Sequence, residues 1–239
     1  MISFIIPTLN EEKIIEKTLK NLSEYTGEKE IIISDGNSKD KTIEIARKYT
    51  NKIAIHDGKT RQTIAGGRNA GAQLADGDFL VFLDADVYIP DINNFFSRAL
   101  NIFKEKPHIS TIIPSIRVFK ELETFGDWLV FSTEDYVHIL INNIIKIGGA
   151  GGEFQMVRTS IFKKIGGYNA RLVVAEDHEF LRRAMKAGDV YFVKSLRIYH
   201  PGRRAHKIGW PRLLWQWTKN GVSNSLFKKS SNTEWEEIR

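Results

Sequence analysis

The sequence predicts an α/β protein whose central sheet is mostly parallel and has helices on both faces. Strand and helix patterns alternate four times between Ile2 and Leu83, an order typical of parallel strands connected by helices. The strand Phe79–Leu83 has five consecutive apolar residues, as expected for a strand buried on both faces. Polar residues follow several strands directly, and after this one they are Asp84 and Asp86.

The first half of the chain is expected to contain four strands connected by helices. The first strand covers Ile2–Ile6 and ends at Pro7, which has no N–H to donate to a neighbouring strand. Asn10 is then expected to cap the first helix, whose apolar residues recur with helical spacing. The later elements are predicted at 30–34 (strand), 41–49 (helix), 53–56 (strand), about 66–71 (within a helix) and 79–83 (strand).

The second half is expected to add further helices and three more strands. They are predicted at 91–103 (helix), 110–114 (strand), 119–147 (one or two amphipathic helices), 154–158 (strand), 160–165 (helix), from Glu176 onward (helix) and 190–198 (strand). We expect one folded domain over 1–205, followed by an amphipathic basic and aromatic segment over 206–239.

The composition is that of an ordinary globular protein with a modest positive charge. The chain has 239 residues, 42% of them hydrophobic, and a formal net charge of +6. An anionic nucleotide or an anionic membrane surface would explain the charge, and no basic repeat or zinc spacing indicates a nucleic acid partner. Without cysteine, disulfides and a cysteine nucleophile are excluded. No apolar run approaches the ~20 residues of a spanning helix, and the N-terminal run is too short for a signal peptide.

Polar residues gather at one edge of the predicted sheet. Asn10 follows the first strand, Asp35 the second, and Asp84 and Asp86 the fourth. The carboxyl ends of parallel strands share an edge, where open α/β sheets bind their ligands. Two carboxylates there suit Mg²⁺ or Mn²⁺ carrying a diphosphate, but they could also only cap the next loop. Neither the glycine-rich dinucleotide fingerprint nor a P-loop occurs, so carboxylates and a metal would have to hold any nucleotide.

Four short blocks resemble the family 2 glycosyltransferases. They are Phe4–Glu12 (FIIPTLNEE), Ile33–Asp40 (ISDGNSKD), Gly67–Gly71 (GRNAG) and Leu83–Asp86 (LDAD). Each block is short, but their order and spacing are specific, and the resemblance extends from Ile2 to about Gly202. It implies the GT-A fold, a single Rossmann-like α/β domain that binds a nucleoside-diphosphate sugar.

The resemblance assigns several residues to the donor. Those expected in the nucleotide and donor site are Pro7, Thr8, Asn10, Glu12, Asp35, Arg68 and Asp84. Asp35 would accept hydrogen bonds from the base, and Arg68 would lie near the ribose or the diphosphate, where a guanidinium is a good partner for anions. Asp84 would hold the ribose or the donor sugar. From the residues alone, Asp35 could equally cap a turn, and Arg68 could form a surface ion pair.

The resemblance also implies a divalent metal, Mg²⁺ or Mn²⁺, held by Asp86. Some enzymes of this fold supply a further ligand from a histidine after the last strand, and His200 matches that position. A neutral imidazole is an acceptable ligand for Mn²⁺, although His200 could also be an ordinary loop histidine. Arg203 and Arg204, shortly after it, could hold the diphosphate.

A second group of acids lies in Val174–Phe180, where a helix is predicted to begin. Carboxylates at a helix N-terminus are stabilised by the helix dipole, so they could be no more than caps. The block resembles the family's Glu-Asp motif, in which the aspartate is the catalytic base. Asp177 is therefore the expected base, with Glu176 and Glu179 as alternatives. The expected sugar and acceptor pocket, which could also be a glycine hinge, comprises Gly151, Gly152, Glu153 and Glu176.

Two apolar stretches favour contact with a membrane. One covers 128–147, and the other, 210–217, contains three tryptophans. Aromatic residues beside basic ones are typical of a membrane interface, and the basic residues nearby are Arg203, Arg204, Lys207, Arg212 and Lys219. We therefore expect a lipid-linked or saccharide acceptor and peripheral contact with the cytoplasmic face of the cell membrane. Alternatively, both stretches pack against the domain.

These patterns predict a metal-dependent, inverting glycosyltransferase. The donor would be GDP-mannose or a UDP-hexose, and the sugar would move to a hydroxyl or phosphate of the acceptor. Two other functions remain open: a sugar nucleotidyltransferase and a non-catalytic protein that binds nucleotide sugars or glycans. A nucleotidyltransferase would normally have a glycine-rich basic loop after its first strand, whereas Pro7–Glu12 is acidic.

Overall fold

Seven strands form one sheet in the computed structural model, which describes residues 1–217. The strands are β1 (Ile2–Thr8), β2 (Lys29–Asp35), β3 (Ile53–Ile55), β4 (Phe79–Leu83), β5 (Ile109–Val118), β6 (Phe154–Arg158) and β7 (Asp189–His200). Their order across the sheet is β3-β2-β1-β4-β6-β5-β7. All pairs are parallel except those of β6, which is antiparallel to both β4 and β5. The predicted mostly parallel α/β sheet is confirmed.

Helices connect these strands and cover the sheet. They are α1 (Ile15–Ser23), α2 (Thr42–Ala46), α3 (Ile64–Gln73), α4 (Ile92–Glu105), α5 (Phe125–His138), α6 (Thr159–Ile165), α7 (Glu176–Ala187) and α8 (Arg203–Ile208), and a π-helix at Ile139–Ile144 continues α5. Buried apolar residues form one cluster on each face: on β1, Phe4 and Ile6 belong to one cluster and Ile5 to the other. This alternation along a strand is what a sheet covered on both faces requires.

Two predictions at the end of β1 were wrong. The strand does not end at Pro7 but continues to Thr8, with Pro7 paired to Ser34 of β2. On its other side, β1 pairs with β4 only as far as Ile5, so an N–H is no longer needed there. Asn10 does not cap α1, which begins at Ile15.

Asn10 instead shapes the loop after β1. Its backbone has φ +52°, in the left-handed region that asparagine tolerates better than most residues. Its side chain accepts a hydrogen bond from the backbone N–H of Lys39 at 2.6 Å, and its own N–H donates to the hydroxyl of Ser38 at 2.8 Å. The loops after β1 and β2 are therefore fastened to each other.

The second half is helical where amphipathic helices were expected. Its strand β6 has the predicted bounds, whereas β5 and β7 are longer than expected. β5 passes through Pro114, and β7 continues to His200, because the ends of these two strands pair with each other up to Val118 and His200. The π-helix is followed by a tight return of the chain, in which Asn142 exchanges two hydrogen bonds with the backbone of Gly149, at 2.8 and 3.0 Å.

The C-terminal described residues pack against α5 through Asp127. The Asp127 carboxylate is fully buried and caps α5 together with Thr124. It also pairs with the ring nitrogen Nε2 of His206 at 2.8 Å and accepts from Nε1 of Trp210 at 2.9 Å. α8 crosses the boundary predicted at 205/206, and residues 210–217 are again helical. The remainder of the predicted 206–239 segment, including Lys219, lies outside the described residues.

Helices of residues 1–217 are all too short or too polar to cross a bilayer.

Candidate active site

The loops after β1, β2 and β4 meet at the carboxyl edge of the sheet. β1 is hydrogen-bonded to β2 and to β4, all three run in the same direction, and Thr8 lies opposite Asp35. β6 adds to this edge from the opposite direction, because the backbone N–H of Asp84 donates to the carbonyl of Glu153 at 3.1 Å. The structure therefore brings together residues predicted from separate motifs.

Asp35 is buried, and both of its carboxylate oxygens accept hydrogen bonds from the end of β1 or from the turn after β2. One oxygen accepts from the backbone N–H groups of Asn37 and Ser38, at 2.9 and 2.8 Å. The other accepts from the hydroxyls of Thr8 and Ser38. Asp35 thus caps the turn after β2, which was one of its two predicted roles. The other predicted role, contact with a base, would have to share these oxygens.

Glu12 fastens the same two loops further along the chain. Its carboxylate accepts from the backbone N–H of Lys41 at 3.0 Å, while its own N–H donates to the carboxylate of Asp40 at 3.1 Å. Pro7 and Thr8 lie at the end of β1, and Pro7 lies close to Gly67 of α3. The predicted donor residues of the first half therefore surround one region, much of it rigidly held.

Arg68 is the centre of the acidic part of the site. This α3 side chain is 2% exposed, and its guanidinium donates to the carboxylate of Glu176 at 3.0 Å and to the carbonyl of Gly152 at 2.8 Å. It also lies 3.7 Å from the carboxylate of Asp84 and over the ring of Tyr168, 5.2 Å from its centre. An ion pair was one of the two roles predicted for Arg68, but the prediction placed it at the surface, whereas the pair is buried.

This arrangement shifts the pKa values of the groups involved. Burial acts to lower the pKa of Arg68, but the acidic groups around it raise the value further, so Arg68 remains charged. Burial raises the pKa of Glu176 to about 7, and the charge of Asp177 adds to this while Arg68 opposes it. Partial burial, opposed by Arg68 and reinforced by neighbouring acids, also raises the pKa of Asp84. Because 42% of the Asp84 side chain is exposed, water screens part of this effect.

Asp177 lies at the start of α7, beside this cluster. One of its carboxylate oxygens accepts from the backbone N–H of His178 at 2.7 Å. The residue before the helix, Ala175, has φ +60°, a strained conformation that a β-carbon makes costly and that is often found at functional sites. Glu179, one of the alternative bases, is instead held in a two-pronged ion pair with Arg183, at 2.6 and 2.7 Å.

Two glycines allow the backbone of the 151–153 stretch to approach the cluster. A β-carbon on Gly152 would lie 2.6 Å from a guanidinium nitrogen of Arg68 and 3.3 Å from a carboxylate oxygen of Asp177. A β-carbon on Gly151 would lie within 2.1 Å of the Glu153 carboxylate. A side chain at either glycine would thus require the guanidinium of Arg68 or the carboxylate of Glu153 to move.

Asp86 is bound by Arg203. The guanidinium donates through Nε to a carboxylate oxygen of Asp86 at 2.9 Å, and its Nη2 atom lies 2.8 Å from the same oxygen. Its Nη1 atom donates to the carboxylate of Glu11 at 3.1 Å. Two backbone hydrogen bonds of 2.8 Å between Tyr88 and Tyr199 hold the loop after β4 against the end of β7. Arg203 thus connects the predicted metal ligand with the loop after β1.

Three donor atoms at this edge of the sheet are of the kind that a divalent cation binds. The Nε2 atom of His200 and one carboxylate oxygen of Glu153 are buried without a hydrogen-bond partner, and Asp86 has a second oxygen that Arg203 does not use. Within residues 1–217, however, no three His, Asp or Glu side chains are arranged closely enough to hold an ion. Side-chain movement, including that of Arg203, would be needed to assemble a full ligand set.

A further cavity lies beside Asp35, and all of its lining residues except Ala70 lie outside the motifs. It has a volume of about 510 Å³ and is lined by the end of β3 and the loop that follows, including His56, Asp57, Thr60 and Gln62. The backbone N–H of His56 donates to the carbonyl of Asp35 at 2.8 Å, so the cavity adjoins the predicted nucleoside site. Its position after a third parallel strand at the same edge was the signal that could have found it.

Solved glycosyltransferase structures share this architecture. The mannosyltransferase PcManGT from Pyrobaculum calidifontis, in complex with GDP-Man and Mn²⁺, superposes with a TM-score of 0.67 at 19% identity, over 92% of this chain and 60% of that one. Residues 1–349 of Staphylococcus aureus TarS, in complex with UDP-GlcNAc, superpose with a TM-score of 0.63 at 21% identity, over 83% of this chain and 57% of that one. The fold is the GT-A fold, as the resemblance implied.

The sequence comparison defines the family. Residues 3–166 match the family described as Glycosyl transferase family 2, and the chain belongs to it. An uncharacterized glycosyltransferase of Haemophilus influenzae is 27% identical over 189 residues, which are 78% of this chain and 62% of that protein. The poly(ribitol-phosphate) β-N-acetylglucosaminyltransferase TarS of S. aureus is 27% identical over 208 residues, 82% of this chain but 30% of TarS. The chain thus spans less than two thirds of these relatives.

Proposed function

We propose that this chain transfers a sugar from a nucleoside-diphosphate sugar to an acceptor, with Asp177 as the catalytic base. One observation carries the proposal beyond family membership. Arg68 is hydrogen-bonded to Glu176, 108 residues away in sequence, and lies beside Asp84. The acids after β4 and those at the start of α7 therefore share one site. A donor held at the first group would present its sugar to the second.

The donor would occupy the carboxyl edge of the sheet. Its nucleoside would lie near Asp35 and the 510 Å³ cavity, bordered by the loop of Pro7, Thr8, Asn10 and Glu12. Asp84 would hold the ribose or the sugar. Arg203, which reaches Asp86 from α8, is the cation best placed to turn towards a diphosphate, since its partners are carboxylates that a metal would compete for.

Asp86 and His200 would hold the divalent cation, and the unpartnered carboxylate oxygen of Glu153 is a further candidate ligand. When bound, Mg²⁺ or Mn²⁺ would neutralise charge on the departing diphosphate. The relative PcManGT was solved with Mn²⁺, and glucosyl-3-phosphoglycerate synthase from Mycobacterium tuberculosis, which shares the fold with a TM-score of 0.60, was solved with Mg²⁺. These neighbours support a metal of this kind.

Asp177 would accept the proton of the acceptor hydroxyl. As that proton leaves, the acceptor oxygen forms a bond to the anomeric carbon, and the bond from that carbon to the diphosphate oxygen breaks. One displacement from the opposite face inverts the anomeric configuration. Glu176 cannot serve as readily, because its carboxylate is buried and hydrogen-bonded to Arg68. The sugar would lie against Gly151, Gly152, Glu153 and Glu176.

The acceptor we propose is a lipid-linked hydroxyl or phosphate met at the cytoplasmic face of a membrane. Nucleotide sugars are made in the cytoplasm, and α5 and the residues after α8 expose large apolar side chains, among them Trp128 and Trp215. A water-soluble saccharide is the other class of acceptor. Arg203, one of the basic residues that suggested membrane contact, is instead bound to Asp86 and Glu11.

Release of nucleoside diphosphate tests the proposal. GDP-mannose, UDP-glucose, UDP-galactose and UDP-N-acetylglucosamine would each be offered with Mn²⁺ and with polyprenyl-phosphate or saccharide acceptors. Asp177→Asn should keep donor affinity and lose about 10²–10⁴-fold in turnover, the usual value of a general base. Glu179→Gln is the matched control, because it changes another acid of the same helix turn that is paired with Arg183. Full turnover by Asp177→Asn would refute the assignment.

The same assay separates the two alternative functions. Release of pyrophosphate from a nucleoside triphosphate and a sugar phosphate would indicate a nucleotidyltransferase. Donor binding without release of nucleoside diphosphate, for all donors and acceptors, would indicate a binding protein. For the metal, Asp86→Ala should abolish Mn²⁺-dependent donor binding, while Glu11→Gln, which also loosens Arg203, should retain it. Equal loss in both would show that Asp86 acts by positioning Arg203.

A further inference from the structure

A second cleft lies outside the acidic site. It has a volume of about 560 Å³ and is formed by one face of α5 and by the ends of β5 and β7. None of the acids assigned to donor, metal or base lines it. Its walls come from three separate elements, so no motif in the sequence indicated it.

Unpaired cations converge on this cleft. Lys120, Lys194 and Arg197 line it, and none of these three side chains makes a hydrogen bond or an ion pair with any residue between 1 and 217. A fourth cation, Arg117, is already bound to Asp135. Glu123 is the one other carboxylate in the lining. Three cations facing a single unengaged carboxylate leave a net positive cleft, which favours an anion with several oxygens, such as a phosphate.

The mouth of the cleft is apolar and aromatic. Trp128 and Tyr136 line it while remaining 51% and 65% exposed, and Lys194 lies 4.1 Å from the centre of the Tyr136 ring. Exposed apolar residues continue from there along α5 and the π-helix: Phe125, Leu129, Val137, Leu140 and Ile144. An exposed apolar surface of this length marks an interaction site, and tryptophan and tyrosine beside cations are typical of the boundary between water and lipid.

We propose that this cleft binds the phosphate head group of an anionic membrane lipid, with the exposed face of α5 and the π-helix against the acyl region. The cations suit a phosphate group, and the apolar face suits acyl chains, which a lipid has and a free phosphate lacks. Trp128 and Tyr136 belong both to the cleft and to the apolar face, so the head group and the acyl chains of one lipid would be bound next to each other. This site does not depend on the proposed transfer reaction; it would hold the protein on a membrane whatever its acceptor.

Vesicle flotation of the full chain tests the site. The vesicles are phosphatidylcholine alone or phosphatidylcholine with phosphatidylglycerol, each with and without inorganic phosphate as a soluble competitor. The cleft variant is Lys120→Gln/Lys194→Gln/Arg197→Gln. The control variant, Lys48→Gln/Lys104→Gln/Lys164→Gln, removes the same charge from exposed lysines on other elements. Circular dichroism and the midpoint of urea unfolding check that both variants fold.

We expect the parent and the control to bind the anionic vesicles and the cleft variant to bind about 100-fold more weakly, because each basic residue near an anionic surface contributes about fivefold. Trp128→Ser should weaken binding as well. Equal weakening of both triple variants would overturn the proposal, because general charge would suffice. Equal binding to pure phosphatidylcholine would overturn it too, as would displacement by inorganic phosphate at low concentration.

The outcome is separable from that of the proposed function. Nucleoside diphosphate release with a water-soluble acceptor should be the same in the cleft variant as in the parent, because no cleft cation touches the acidic site. Lost lipid binding with normal release supports the cleft alone. Normal lipid binding without any release would refute the transfer reaction and leave the cleft standing.

Discussion

Replacing Arg68 by methionine is the most demanding test of how the site is built. Methionine fills much of the same volume but removes the charge and all donors. Glu176 would then be buried without its partner, and the carbonyl of Gly152 would lose its hydrogen bond. The variant thus leaves a buried acid uncompensated, which is far more costly than the loss of a surface ion pair.

The size of the effect follows from the geometry. Two unit charges 3.0 Å apart interact by about 5 kcal/mol at an effective dielectric constant of about 20. Removing one partner of such a buried pair typically destabilises a protein by about 3–5 kcal/mol, a large share of the about 5–15 kcal/mol that keeps a domain folded. The loss should grow as the pH rises, because the unpaired Glu176 is most costly when ionised.

Urea unfolding at several pH values measures this loss. Arg183→Met is the matched control, because Arg183 is only partly buried: it forms an ion pair with Glu179 and donates to the carbonyl of Ile165, so its loss should cost about 1–2 kcal/mol. Adding Glu176→Gln to Arg68→Met should recover part of the stability, since a neutral amide is cheaper to bury than a carboxylate. If Arg68→Met costs no more than Arg183→Met, Arg68 does not hold the acids together and the reasoning fails.

Three further predictions concern neighbouring groups. Burial raises the pKa of Glu176 from 4.5 to about 7, so Glu176 binds its proton more tightly in the folded than in the unfolded protein. Stability should therefore fall as the pH rises through that window, and Glu176→Gln should remove this part of the pH dependence of urea unfolding. Gly152→Ala should cost about 1–3 kcal/mol in thermal unfolding and reduce donor turnover, because its β-carbon would meet the guanidinium of Arg68. Asp127→Ala should increase proteolytic cleavage within 203–217, because His206 would lose its buried partner.

Each of these has a clear contrary result. An unchanged pH profile in Glu176→Gln would assign the titration to other groups. Full activity and stability of Gly152→Ala would mean that Arg68 can shift without consequence. A cleavage pattern of Asp127→Ala identical to that of the parent would show that α8 is held by its remaining contacts, among them those of Arg203.

The first half of the fold could be predicted closely because its signals are local. Five apolar residues make β4 recognisable, and the helical spacing of Ile15, Leu19 and Leu22 predicts α1, where all three are buried. The errors came at strand ends. Pro7 stays within β1 because β4 no longer pairs there, and whether a strand has a neighbour is not written in its own residues.

The residue types of the site were also readable from the sequence, and their partners were not. Carboxylates after parallel strands share an edge by topology, so Asp35, Asp84 and Asp86 could be grouped in advance. The sequence did not reveal that Arg203 binds Asp86, 117 residues away. The sequence also suggested two roles for Arg203, contact with the diphosphate and contact with a membrane. Because its guanidinium is already paired with two carboxylates, it cannot serve as a free surface charge.

The sequence by itself therefore determined the mostly parallel character of the sheet, the edge at which ligand binding is expected and the acids available there, because these depend on periodicity and on the direction of parallel strands. Tertiary structure decided which of those acids are paired, buried or exposed. Arg68 joins α3 to α7, and the cleft of Lys120, Lys194 and Arg197 joins three elements, so each exists only once distant segments are packed together. Charge and burial, which set pKa and ligand preference, are properties of that packing.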